Sequence, residues 1–124
     1  MAKKILVVED NKDNSLLTQK ILEHYGYEVK ITETGKETLD YCQSNPPPSL
    51  ILMDISLPDI DGLELTKQLK KMGNYSYIPV IAVTAHSTKE MEVKILEAGC
   101  VNTLFKPYTP PEFVKMVQQY VGNP

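Results

Sequence analysis

Short apolar runs alternate with helical segments five times along this chain, and that alternation admits few folds. Ile5-Leu6-Val7-Val8, Leu50-Ile51-Leu52-Met53 and Val80-Ile81-Ala82-Val83 are apolar without a break. Such runs read as strands buried on both faces of a parallel sheet. Tyr27-Glu28-Val29-Lys30-Ile31 alternates, as an edge strand does, and Val101-Asn102-Thr103-Leu104-Phe105 is mixed and reads as the other edge. The spacing predicts an α/β fold, a doubly wound (βα)5 unit around five parallel strands.

The helices between them are well marked. Thr34 with Glu37, Asp61 with Glu64, Ser87 with Glu90 and Thr109 with Glu112 each fit a capping residue followed by an acid three positions on. Pro110 falls at a first helical position, where its missing N–H does no harm. Gly26, Gly73, Gly99 and Gly122 follow helical patterns, where a left-handed terminal residue is expected. Apolar stripes run along Leu17, Ile21 and Tyr25; Leu65, Leu69 and Met72; Met91, Ile95 and Ala98; and Val114, Val117 and Val121, with a weaker one on Leu39 and Cys42. The flavodoxin-like strand order 2-1-3-4-5 sets the first and third strands side by side at a topological switch point.

Composition narrows the function classes. The 124 residues make one domain, 1–124, and the reading includes no output domain. No apolar stretch approaches the roughly 20 residues of a membrane span, and Met1-Ala2-Lys3-Lys4 leads straight into a strand without a signal-peptide core. A cytoplasmic protein with no direct membrane contact is expected. The net charge is −3 with scattered lysines, and Lys70-Lys71 reads as a solvated helix end, not a nucleic-acid footprint. Cys42 and Cys100 have no neighbouring Cys or His at metal-like spacing and read as buried, reduced thiols.

The strand ends carry the chemistry. The first run ends at Glu9-Asp10, the third at Asp54, the fourth at Thr84 and the fifth at Lys106-Pro107. Ligands of such sheets bind outside the carboxyl ends of the strands, so these residues should converge at one edge. Three gathered carboxylates repel unless a cation sits among them, and a hard divalent ion with oxygen ligands resolves the repulsion. Asp54 can attack phosphorus as a nucleophile. Mg2+ held by Asp10 and Asp54, with Glu9 reached through water and the Ser56 backbone carbonyl completing the shell, supplies charge and orientation. Lys106 brings a compact positive charge for a phosphoryl oxygen, and Thr84 a hydroxyl donor. A cis Lys106–Pro107 bond is expected to aim the lysine inward. The loop Ile55–Asp61 lies directly over this site.

These residues resemble the receiver domain of two-component response regulators, of the stand-alone, chemotaxis-regulator-like type. The resemblance rests on Val7-Val8-Glu9-Asp10-Asn11, Leu52-Met53-Asp54-Ile55 with Leu57-Pro58 and Asp61-Gly62, Val83-Thr84-Ala85, Ala98-Gly99 and Lys106-Pro107. It implies a phosphorelay switch: Asp54 accepts a phosphoryl group from a phosphohistidine of a histidine kinase or phosphotransfer protein, with Mg2+ at Glu9 and Asp10. It implies that Thr84 and Lys106 contact the phosphoryl group and couple it to a surface running from about Ser87 to Val121, where a protein target binds. The first helix, around Asn14 and Leu17, would receive the phosphodonor. Ser56 and His86 would tune hydrolysis of the acyl phosphate, and homodimerisation is left open.

One position departs from the pattern. Three residues before the lysine, receivers usually carry Tyr or Phe, and this chain has Thr103. Signalling is then expected to depend more on Thr84 and the loop from His86 to Thr88. His24 is assigned no catalytic role. Other readings are a receiver excised from a larger hybrid kinase or regulator, an aspartyl-phosphate hydrolase, and a flavin or nucleotide binder. The hydrolase lacks an acid at position 56, and the binder would need a glycine-rich first loop where Asp10-Asn11-Lys12-Asp13-Asn14 stands.

Overall fold

A computed structural model describes residues 3–86 and 88–122. Ten elements alternate: β1 (Lys4–Val8), α1 (Lys12–His24), β2 (Glu28–Thr32), α2 (Gly35–Ser44), β3 (Leu50–Asp54), α3 (Gly62–Lys70), β4 (Val80–Thr84), α4 (Lys89–Ala98), β5 (Asn102–Phe105) and α5 (Pro110–Val121). All strand pairs are parallel, in the order β2-β1-β3-β4-β5. The doubly wound sheet predicted from the apolar runs is the observed one.

Every residue of β3 and β4 is buried, because helices cover both faces of the central strands. Successive side chains of a strand serve opposite faces. Leu6, Val8, Ile51, Met53, Val80 and Ala82 pack with α2, α3 and α4 through Cys42, Leu65, Leu69, Ile95 and Ala98. Ile5, Val7, Leu50, Leu52, Ile81, Val83 and Leu104 pack with α1 and α5 through Leu22, Phe113, Val114, Val117 and Val121. Both cysteines are free and buried.

The caps divide by outcome. Thr34 accepts from the Glu37 amide, and Thr109 forms a complete reciprocal box with Glu112, with Pro110 in the first turn. Asp61 caps α3 through the Leu63 amide, not that of Glu64. Ser87 lies outside the described residues; Thr88 caps α4 through the Met91 amide. Gly26, Gly99 and Gly122 have positive φ, whereas Gly73 does not. α3 ends earlier, with Lys71 in ordinary right-handed geometry, and the chain continues through turns that bury Tyr75.

The stripe on α1 needs correction as a core face. Leu17 and Tyr25 are 59% and 47% exposed, and the buried residues of this helix are Ser15, Thr18 and Leu22. The core-facing line is mostly small and polar, so apolar periodicity does not register it. Leu17 and Ile21 instead form one wall of a groove with Pro107, Tyr108 and Pro110.

Candidate functional site at the carboxyl edge of the sheet

Strand ends place the polar residues. Asp54 and Thr84 are the last residues of β3 and β4, and Glu9 and Lys106 directly follow β1 and β5. Backbone bonds continue the sheet past the strands: the Glu9 amide donates to the Thr32 carbonyl at 3.0 Å and the Lys106 amide to the Thr84 carbonyl at 2.8 Å. The backbones of these residues are therefore held as firmly as the strands themselves.

Glu9, Asp10, Asp54, Ser56, Thr84, His86 and Lys106 line one cleft of about 260 Å3. Glu9, Asp10 and Asp54 each offer a carboxylate oxygen, and these oxygens lie within 4.8 Å of one another. Glu9 and Asp54 are buried and Asp10 is exposed. The set is all oxygen, which fits a hard divalent cation such as Mg2+. The Lys106 ammonium lies 3.2 Å from Glu9 Oε1 and 3.7 Å from Asp54 Oδ2, so one cation serves both buried carboxylates. The Ser56 amide donates to Asp54 Oδ1 at 2.8 Å. The Asn11 amide donates to Glu9 Oε2 at 3.3 Å.

This crowding has an electrostatic signature. Burial, with a hydrogen bond to Asp54 and that group's charge, pushes the Glu9 carboxyl up to about 7, against the opposing pull of Lys106. Burial works against the Lys106 charge, but Asp54 and Glu9 outweigh it and hold the ammonium above its usual value.

Of the other expected residues, Thr84, Ser56 and His86 line the cleft and Thr103 does not. Thr84 is buried, and its hydroxyl oxygen accepts from the His86 amide at 3.0 Å. The hydroxyl proton is left to donate. His86 is exposed at the rim. Ser56 is exposed and engages Asp54 through its backbone only. Thr103 is half-buried on β5 and does not line the cleft. The Lys106–Pro107 bond is cis. Two participants escaped the sequence reading. Asn11 caps α1 while its amide touches Glu9, and an Asn ahead of a helical pattern was the available signal. Asp59 anchors the loop after Asp54, and a lone loop acid carries no signal of the helix it will cap.

Beside the cleft lies an apolar groove of about 490 Å3 between α1 and the loop from β5 to α5. The two share Asn14, Ala85 and Lys106 as a common wall.

The response regulator receiver domain matches this chain over residues 5–118. The polar-differentiation response regulator DivK of Brucella ovis is 42% identical over 123 residues, covering 99% of each chain. The chemotaxis response regulator CheY4 of Vibrio cholerae superposes with a TM-score of 0.91 at 25% identity, over 97% of this chain and 99% of its own. The receiver domain of the sensor histidine kinase PA1611 of Pseudomonas aeruginosa superposes at 0.89 with 29% identity, over 99% and 100%, and carries a magnesium ion in its active-site cleft. The strand order, the acidic edge and the match over nearly the whole chain agree, and the chain belongs to the response regulator receiver domain family.

Proposed function

We propose that the chain is a phosphorylation-activated switch in which Asp54 accepts a phosphoryl group from a phosphohistidine. The observation that carries this reading is the shared ammonium: Lys106 within 3.2 Å of Glu9 and 3.7 Å of Asp54, in a cleft of three carboxylates. A carboxylate nucleophile needs its charge and that of the incoming phosphoryl oxygens balanced, and it needs little else.

Asp10 and Asp54 would hold Mg2+, with Glu9 nearby and the Ser56 carbonyl as a further oxygen. The bound ion supplies charge neutralisation and orientation of the phosphoryl oxygens. The Ser56 amide holds Oδ1 of Asp54. One carboxylate oxygen forms the O–P bond as the P–N bond of the phosphohistidine breaks, and the leaving imidazole nitrogen takes up a proton. Lys106 then follows a phosphoryl oxygen, and the Thr84 hydroxyl donates to another. No acid stands two residues after Asp54, where a general acid would speed turnover, so slow self-hydrolysis is expected in place of a hydrolase cycle.

The groove walled by Leu17, Ile21, Tyr108 and Pro110 supports docking of the phosphodonor at α1, since it opens beside the acceptor. Val93, Leu96, Val101 and Phe105 are exposed on or beside α4 and β5, which supports a protein target at the α4-β5-α5 surface. With Thr103 in place of an aromatic, coupling to that surface runs through Thr84 and the His86–Thr88 loop. The match over 99% of DivK's own length supports reading the chain as a receiver domain of that relative's extent.

Intact mass after incubation with acetyl phosphate and Mg2+ tests the reading. A metal-dependent phosphoryl adduct is expected on the native chain and not on Asp54→Asn. Equal adducts on both, or none with any phosphohistidine donor, would overturn it.

A further inference from the structure

Beyond the bond from the Ile55 amide to the Val83 carbonyl at 3.3 Å, the loop from Ile55 to Asp61 is fastened at three points. Ser56 and Asp61 form an isolated antiparallel bridge, and the Gly62 amide donates to the Ile55 carbonyl at 3.1 Å. These two close the loop on itself. The third point reaches a distant part of the sequence, the start of α2. Asp59 accepts from the Gly35 amide through Oδ1 at 2.8 Å and from the Lys36 amide through Oδ2 at 3.0 Å.

These are the first two N–H groups of α2, which no turn of that helix can satisfy. Thr34 already satisfies the third, at Glu37. Asp59 is thus a second cap, supplied from another part of the chain, with both oxygens committed. A carboxylate there also answers the positive end of the helix dipole. Its carboxyl is held below the usual range, chiefly by the Gly35 amide and then by that of Lys36. The neighbouring contact is shaped to match. A Cβ at Gly35 would meet Ile60 Cγ2 at 2.1 Å, so a bare backbone at Gly35 lets Ile60 lie against α2.

We propose that Asp59 is a positioning residue for the acceptor site, tying the loop that carries Ser56 to the rigid start of α2. The inference rests on the reading of Asp54 and its neighbours as a Mg2+-dependent acceptor. Ser56 lies three residues before the tether, and its amide is the group bonded to Asp54 Oδ1. Without Asp59 the loop keeps its internal closure, the bond from the Ile55 amide to the Val83 carbonyl and the packing of Leu57 and Ile60 on the core, but its backbone between Ser56 and Ile60 gains freedom. The Ser56 amide then leaves Asp54 for part of the time, and the Ser56 carbonyl loses its fixed place. Backbone groups that orient a ligand set act on metal affinity through position alone.

The test compares three variants by calorimetric Mg2+ titration and by hydrogen exchange of the Ser56 amide, below their melting temperatures. Asp59→Ala removes both acceptors and is expected to weaken Mg2+ binding about tenfold and to speed Ser56 exchange. Asp59→Asn keeps one acceptor oxygen and should fall between Asp59→Ala and the native chain. Thr34→Ala removes α2's own cap without touching the loop; it should lower the melting temperature and leave both readouts native. Native Mg2+ affinity and native Ser56 exchange in Asp59→Ala would overturn the proposal. So would an equal loss in Thr34→Ala, which would assign the effect to the stability of α2. If Asp59→Ala does not fold, Asp59→Asn against Thr34→Ala decides the matter. A native chain that binds no Mg2+ would count against the acceptor reading itself, and Ser56 exchange, which needs no metal, would still judge the tether.

Discussion

The Lys106 ammonium stands closer to Glu9 than to Asp54, at 3.2 Å against 3.7 Å. The lysine is therefore shared between Asp54 and its acidic neighbour Glu9, and removing it affects both. Lys106→Met is expected to slow phosphorylation by acetyl phosphate by about 10^2-fold, the usual cost of one lost charge-stabilising donor. It should also raise the Glu9 carboxyl further, since the opposing pull is gone. Native rates in the variant would show that the ion alone balances the transferring charge.

Glu9 also imposes a pH dependence on the metal-free protein. Its folded value of about 7 stands above the ordinary 4.5, so the folded state holds its proton more tightly than the unfolded chain. Stability then falls as pH rises from about 4.5 to about 7, by on the order of 3 kcal/mol. Urea unfolding across this window should show the slope, and Glu9→Gln should flatten it. Saturating Mg2+ should flatten it as well, because the ion favours the ionised carboxylate. A stability that rises through the same window would contradict the crowding described here.

The start of α3 is packed onto the backbone of Asp54. A Cβ at Gly62 would lie 2.4 Å from the Asp54 carbonyl oxygen and 2.5 Å from Ile55 Cα, neither of which is a flexible side-chain end. Gly62→Ala is expected to cost about 2 kcal/mol by overpacking. Gly73 has nothing within 4 Å of a built Cβ and no positive φ. Gly73→Ala should be neutral or stabilise by up to about 1 kcal/mol. Urea midpoints of the two variants measure the contrast.

Neither thiol should react in the folded protein. Cys42 and Cys100 are both buried, and burial raises both thiols, that of Cys100 to about 11. A thiol-specific chromogenic disulfide at pH 8 should label neither in native buffer and both in denaturant. A fast phase in native buffer would point to an opening of the sheet's α2–α4 face, where both residues pack.

Periodicity and strand-end chemistry settled the larger architecture of this protein. Unbroken apolar runs mean burial on both faces, so Ile5–Val8, Leu50–Met53 and Val80–Val83 could only be inner strands of a covered parallel sheet. Once the strands were ordered, Glu9, Asp10, Asp54, Thr84 and Lys106 had to share an edge, because each stands at a strand's end. What pattern could not supply was contact between segments. The core line of α1 is Ser15, Thr18 and Leu22, and the first two are small and polar residues whose burial depends on what faces them. The shared ammonium of Lys106 and the double cap of Asp59 join residues far apart in the chain. Local sequence specifies a residue's own backbone and the face it presents. Distances across segments follow only from how the helices settle on the twisted sheet, and tertiary packing alone decides that.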